Sequence, residues 1–160
     1  MADSAPRHAP AEPASGWEVV TISAEQTHPV RLAVLRSDTP TKEVRFAEDE
    51  SPGAVHLGVR VDGELVATST WVPRDAPDGT GPAVQLRGMA TVGWLQGRGA
   101  GAALIAAGCA HARAIGATVV WANARDRALA FYEREGFVVV GDGFVDATTR
   151  LPHHVVVRRL

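Results

Sequence analysis

The sequence predicts an α+β domain, a central mixed β-sheet of about six to seven strands flanked by helices. Three observations carry this expectation. Apolar runs and periodic stretches follow the order β-α-β-β-β-α-β-α-β-β, which describes a mixed sheet covered by helices. Asp62-Gly63 lies between two apolar runs, the clearest hairpin signal in the chain. A glycine-rich bend, Gln96-Gly97-Arg98-Gly99-Ala100-Gly101, links an apolar stretch to a segment with helical spacing.

Residues 1–15 are rich in Ala, Pro and polar side chains and are expected to form a disordered tail, leaving a single domain over 16–160. Residues 17–22 read as a first strand. Ser23 is placed as a helix N-cap, with Gln26 three positions on to complete a capping box. Pro29 falls in the first turns, and Val30, Val34 and Leu35 supply an apolar side through Arg36. Residues 39–53 are polar, carry the acid run Glu48-Asp49-Glu50, and read as a loop with a short helical turn, the acids most simply solvated. Residues 55–61 and 64–72 form the hairpin, 73–82 a turn-rich connection, and 83–92 the next strand. From Gly99 to Ile115, Leu104, Gly108, Ala112 and Ile115 recur at helical spacing, and Gly116 ends the helix. The small residues of this helix let it pack close to a sheet. Residues 118–122 are an apolar strand and 126–135 a further helix, closed by Gly136-Phe137 in a Schellman pattern. Residues 138–140 and 154–157 complete the strands.

Bulk properties exclude several classes. With 160 residues and 46% hydrophobic side chains, the chain can bury a sizeable core. A net charge of −2 supplies no field for nucleic acid or an anionic membrane, and no apolar run is long enough to span a bilayer. The lone Cys109 permits no internal disulfide and fits a reducing, cytoplasmic setting. Mid-helix among Ala and Gly, it reads as an inert buried thiol. No His, Cys, Asp or Glu cluster has metal-ligand spacing, so no metal is expected.

The glycine-rich bend leaves backbone N–H groups open to an anion, and the positive end of the following helix favours phosphate. Gly97-x-Gly99-x-x-Ala102 also fits the dinucleotide-binding fingerprint, but Trp94, Leu95 and Gln96 separate it from the strand, and Asn123 stands where an acidic residue is expected. No Lys-Ser/Thr follows the glycines as a P-loop requires, and Lys42 is the only lysine.

Gln96-x-x-Gly99-x-Gly101 matches a Q/R-x-x-G-x-G/A pattern. Downstream lie Asn123-Ala124-Arg125 and Ala128-x-x-Phe131-Tyr132-Glu133-Arg134-x-Gly136-Phe137, and upstream Leu86-Arg87-Gly88-Met89-Ala90-Thr91. Together, over about residues 50–140, these resemble the GCN5-related N-acetyltransferase (GNAT) superfamily, as a small bacterial member. The resemblance implies that acetyl-coenzyme A is the co-substrate, with its pyrophosphate on the amides of Gln96, Gly97, Arg98, Gly99, Ala100 and Gly101. It implies that Met89, Ala90 and Thr91 line the coenzyme, a backbone N–H near Met89 or Ala90 polarising the thioester carbonyl. Asn123 would meet the pantetheine arm where its strand ends. Trp94 departs from the family, which often carries proline just before the Q/R.

Tyr132, the only tyrosine, is the acid that the resemblance implies for the departing thiolate; a phenol with an ordinary pKa of about 10 stays protonated at neutral pH. The base is less marked. His56, Glu48, Asp49, Glu50, His111, His153 and His154 are all candidates, as is a chain of waters. Leu151-Pro152-His153 resembles an element near the end of some small bacterial members, which ranks His153 first. The acceptor pocket is expected from residues 30–52, the 73–82 loop and the C-terminal strands.

The expected function is acetyl transfer from acetyl-coenzyme A to a primary amine, on a small molecule or a peptide, by direct attack in a ternary complex. The alternative is a coenzyme A binding or sensing module without turnover. A homodimer is compatible with either.

Overall fold

The computed structural model describes residues 17–160; the expected N-terminal tail, residues 1–15, lies outside the described residues. The strands are β1 (Glu18–Ile22), β2 (Val55–Val61), β3 (Glu64–Pro73), β4 (Ala83–Thr91), β5 (Val119–Arg125), β6 (Val138–Val145) and β7 (Pro152–Arg159). The helices are α1 (Ala24–Val30), α2 (Ala100–Ala114) and α3 (Leu129–Arg134). The strands form one sheet in the order β1-β2-β3-β4-β5-β7-β6. Every neighbouring pair is antiparallel except β4–β5, which is parallel. The expected mixed sheet flanked by helices is what forms.

The local signals act as the sequence suggests. Ser23 Oγ accepts from the Gln26 N–H at 3.2 Å while Gln26 Oε1 accepts from the Ser23 N–H at 2.8 Å, so α1 starts in a capping box. Pro29 cannot donate to the preceding turn, and the helix widens into a π-type turn over Arg31–Leu35. α3 ends in a Schellman motif, with Phe137 N–H on Tyr132 O at 3.0 Å and Gly136 N–H on Glu133 O at 3.1 Å. Residues 126–128 form a 3-10 turn ahead of α3, so that helix starts later than its expected 126. β6 and β7 are longer than 138–140 and 154–157 because they pair again beyond an irregularity between Val140 and Phe144, and β7 also pairs with β5 out to Arg159.

Thr70 and Trp71 are successive residues of β3 and therefore face opposite sides of the sheet. α2 covers the Trp71 side, where Trp71, Leu104, Ile105 and Ala112 are fully buried. α1 and its continuation cover the other side, with Thr27, Val30 and Arg31 buried.

Gly108 sets the distance of α2 from the sheet. A Cβ there would stand 1.9 Å from Trp71 Cζ2, inside a ring that is 0% exposed and tied by its Nε1–H to Ser69 Oγ at 2.8 Å. Gly108→Ala is therefore expected to destabilise the fold by about 1–2 kcal/mol, the cost of overpacking exceeding the better helix propensity of Ala. Urea unfolding measures it; a variant as stable as the parent would show that α2 can shift off Trp71 freely.

Candidate functional site

β4 and β5 pair only through Ala83↔Val119, Val84↔Val120 and Gln85↔Trp121, and then diverge. A bulge drives the separation: Thr68 pairs with Ala90 but Thr70 with Arg87, so β4 carries an extra residue around Gly88-Met89. Past this point, Leu86 to Thr91 keep β3 on one side and have no strand on the other. The cleft so opened has a volume of about 1110 Å³, above the roughly 300–1,000 Å³ usual for small-molecule sites.

The glycine-rich bend forms one end of the cleft, where Gln96, Gly97, Gly99, Gly101 and Ala102 line it. Gln96 Nε2 donates to Thr91 O at 3.0 Å, tying the bend back to the end of β4. Gly99 caps α2 with φ of +95° and without a side-chain hydrogen bond. The first helical bond is Ala103 N–H to Gly99 O at 3.0 Å, and Arg98 N–H turns back to Leu95 O at 3.3 Å. Among the described residues, no protein acceptor meets the N–H groups of Gly97, Gly99, Ala100, Gly101 and Ala102. Five free amides at the positive end of a 15-residue helix can hold an anion.

Met89, Ala90, Thr91, Asn123, Tyr132 and His153 also line the cleft, so most of the sequence-predicted site residues are brought together. Two do not line it: Arg98, which is exposed, and Ala100, which is buried in the core.

Tyr132 is packed edge-on between Phe131 and Phe137, with both ring centroids 5.3 Å away. Burial pushes its phenol well above the ordinary value, so it stays protonated. No group among the described residues hydrogen-bonds its hydroxyl. His153 stacks on Phe144 at 5.7 Å, and its Nδ1 lies 2.8 Å from Leu151 O. A carbonyl only accepts, so Nδ1 carries a proton, and Nε2 is the ring nitrogen that can take part in proton transfer.

The other base candidates separate cleanly. Glu48 lines the cleft, bound to Arg74 at 3.3 Å and Arg87 at 3.5 Å. His56, His111 and His154 do not line it. His56 is buried, with Nδ1 2.8 Å from Thr70 Oγ1, and burial lowers its pKa. His154 Nδ1 is held by Asp126 Oδ1 at 2.6 Å. Cys109 is buried in α2, and burial raises its thiol pKa, so it is unreactive.

Two expectations are corrected. Asp49 is not a solvated member of an acid run: its carboxylate binds the fully buried Arg31 guanidinium through two hydrogen bonds of 2.8 Å. Arg31 further donates to Val44 O and Thr70 Oγ1, both at 2.8 Å, and lies 3.9 Å from the Phe46 ring centre. Thr70 Oγ1 accepts from Arg31, so its own hydrogen is free for His56 Nδ1. This network holds residues 45–48, which line the cleft, in place. The 73–82 loop, in turn, does not line the cleft. It joins the C-terminal end of β3 to the N-terminal end of β4, whereas the cleft lies at the C-terminal ends of β4 and β5. Residues 33–37, 43 and 45–48, with Asp146, Thr148 and Thr149, also line the cleft.

Sequence reasoning missed Arg36, Arg87 and Arg125, three arginines on the cleft wall. Their only signal was Arg87 next to the bulge glycine and Arg125 after Asn123.

The sequence pattern of the Acetyltransferase (GNAT) family matches residues 19–137. An uncharacterized N-acetyltransferase, YitI of Bacillus subtilis (strain 168), is 34% identical over 128 residues, covering 79% of this chain and 86% of that one. An acyl-CoA N-acyltransferase from Pseudomonas aeruginosa has the same fold, with a TM-score of 0.70 at 20% identity over 89% of this chain and 99% of that one. So does an aminoglycoside 6'-N-acetyltransferase complexed with coenzyme A, with a TM-score of 0.67 at 12% identity over 89% and 96%. Splayed β4 and β5, an uncapped glycine-rich helix start between them, and a match over most of the length make this chain a member of the acetyltransferase (GNAT) family.

Proposed function

We propose that this protein transfers an acetyl group from acetyl-coenzyme A to a primary amine by direct attack in a ternary complex. The observation that carries the reading is one cleft lined by Gly97, Gly99, Gly101 and Ala102, whose amides have no partner among the described residues, together with Tyr132 and His153. The residues fit the coenzyme: the amides of Gly97, Gly99, Ala100, Gly101 and Ala102 suit its pyrophosphate, and Met89, Ala90, Thr91 and Asn123 line the path beyond. A coenzyme A complex in a protein of the same fold supports that assignment.

When bound, acetyl-coenzyme A supplies an activated thioester. The amine nitrogen bonds to the acetyl carbon as the carbon–sulfur bond breaks. His153 Nε2 takes the proton that the amine sheds. Tyr132 donates to the sulfur as negative charge builds there, and a phenol held neutral by burial is suited to this. An unpaired N–H on the free side of β4 steadies the developing oxyanion.

Acetyl-coenzyme A should stabilise the folded state, by about 2.7 kcal/mol at a hundredfold excess over its dissociation constant. Gly99→Val should weaken binding about tenfold or more, since a β-branched residue resists φ of +95° and its Cβ would meet Trp17 Nε1 at 3.2 Å. A melting temperature that responds to NAD and not to coenzyme A would overturn the reading. Binding without coenzyme A release across an amine panel would favour a module without turnover.

A further inference from the structure

We propose that the acceptor is an amine that also bears a carboxylate, and that Arg87, with Arg36 and Arg125 beside it, reads that carboxylate. The proposal rests on the acetyltransferase reading above and narrows its acceptor.

Six arginines but only four carboxylate side chains line the cleft. Outlying charges are already matched: Arg45 holds Glu43 at 3.1 Å and Arg127 holds Asp38 at 2.7 Å. Arg87 is matched only in part: Glu48 stands 3.5 Å from its Nε, an ion pair without hydrogen-bond geometry, and is shared with Arg74. No hydrogen bond among the described residues reaches either Nη of Arg87, although its side chain is 28% exposed to the cleft. Arg36 spends Nε on Glu43 O and Nη1 on Leu35 O, leaving Nη2 without a hydrogen bond among the described residues. Arg125 gives Nη2 to Leu35 O at 2.7 Å, and its buried Nη1, 3.6 Å from the Asp38 carboxylate it shares with Arg127, makes no hydrogen bond among the described residues.

These guanidinium groups crowd one another. Burial and the charges of Arg31 and Arg87 hold Arg36 below its ordinary pKa, and burial, Arg127 and Arg36 do the same to Arg125. A set of cations with unspent donors in a partly dry cleft is a site that an anion completes, and planar forks suit a carboxylate.

The same wall positions an amine. Arg125 and His153 are cross-strand partners in β5 and β7, so their side chains stand on the same face of the sheet. Asp146 also lines the cleft. Burial raises its carboxyl, but the Thr149 and Thr148 N–H groups on Oδ1 hold it below the ordinary range, so it is an anion. Carboxylate at the arginines and ammonium at Asp146, next to the base, is the orientation this charge pattern selects.

The test follows coenzyme A thiol release with saturating acetyl-coenzyme A and matched acceptors. These are free amino acids, their carboxamides, the corresponding amines without the carboxyl, and short peptides with an acidic first residue. The carboxylate-bearing member of each set should show a kcat/KM about tenfold higher or more, carried mainly in KM. A preference for free amino acids or for acidic peptides tells which source supplies the carboxylate. Arg87→Gln should bring the ratio between acid and carboxamide to within about twofold. Arg87→Lys, which keeps the charge and loses the fork, should restore part of it. Carboxamides or plain amines used as well as the acids would overturn the proposal and leave the acetyltransferase reading standing. A ratio untouched by Arg87→Gln would overturn it as well. Coenzyme binding with no acetylation of any amine would remove both.

Discussion

Asp49→Ala is expected to destabilise the protein by about 3–5 kcal/mol, because it strands the Arg31 guanidinium inside the fold. Arg31 is 0% exposed, and Asp49 accepts two of its N–H groups at 2.8 Å. The remaining partners, Val44 O and Thr70 Oγ1, are neutral and cannot balance a buried charge. The loss corresponds to roughly 10 °C or more in melting temperature for a chain of this size. Urea unfolding with a two-state analysis measures it, and a variant within about 1 kcal/mol of the parent would show that water reaches Arg31.

The same pair makes a pH prediction. Burial acts to raise the Asp49 carboxyl, but hydrogen bonds from Arg31 and the Phe46 N–H and the charge of Arg31 outweigh it and hold the pKa below the ordinary value. Between the two values the unfolded chain binds the proton and the folded one does not. The contribution is therefore complete above the ordinary carboxyl range, near pH 4, and is lost as pH falls through the lower folded value. The parent should lose stability steeply on acidification in that window, and Asp49→Ala should lose less.

Tyr132→Phe is expected to lower kcat about 10²-fold while leaving coenzyme affinity nearly unchanged. The phenol stabilises charge that exists on sulfur only as the bond breaks, so its loss appears in turnover. The low end of the range for general acids applies because a thiolate leaves readily. Phe keeps both edge-on contacts, with Phe131 and Phe137, and no hydrogen bond to the hydroxyl among the described residues is lost. Circular dichroism and coenzyme titration should match the parent. A kcat within about twofold of the parent would reduce Tyr132 to a packing residue.

What was legible in the sequence was local. The capping box at Ser23-Gln26, the Asp62-Gly63 turn and the Gly116 and Gly136 helix endings each act within a few residues, so residue type and spacing determine them. The glycine-rich start of α2 belongs here too, because uncapped amides follow from the backbone of a short segment. What only the tertiary structure decided lay between segments far apart in the chain. Asp49 and Arg31, 18 residues apart, become one buried ion pair because α1 and the 3-10 turn over Ala47–Glu50 meet on one face of β3. A polar acid run looks solvated until its partner is known. The divergence of β4 and β5, and hence the existence of the cleft, depends on a bulge at Gly88-Met89, where a strand glycine hints at an irregularity but only the pairing with β3 reveals it. The convergence of Arg36, Arg87 and Arg125 on its wall is likewise a product of strand order. Charge on three separate elements acquires meaning only when the fold brings it to one place, since an electrostatic field depends on distance in space and not along the chain.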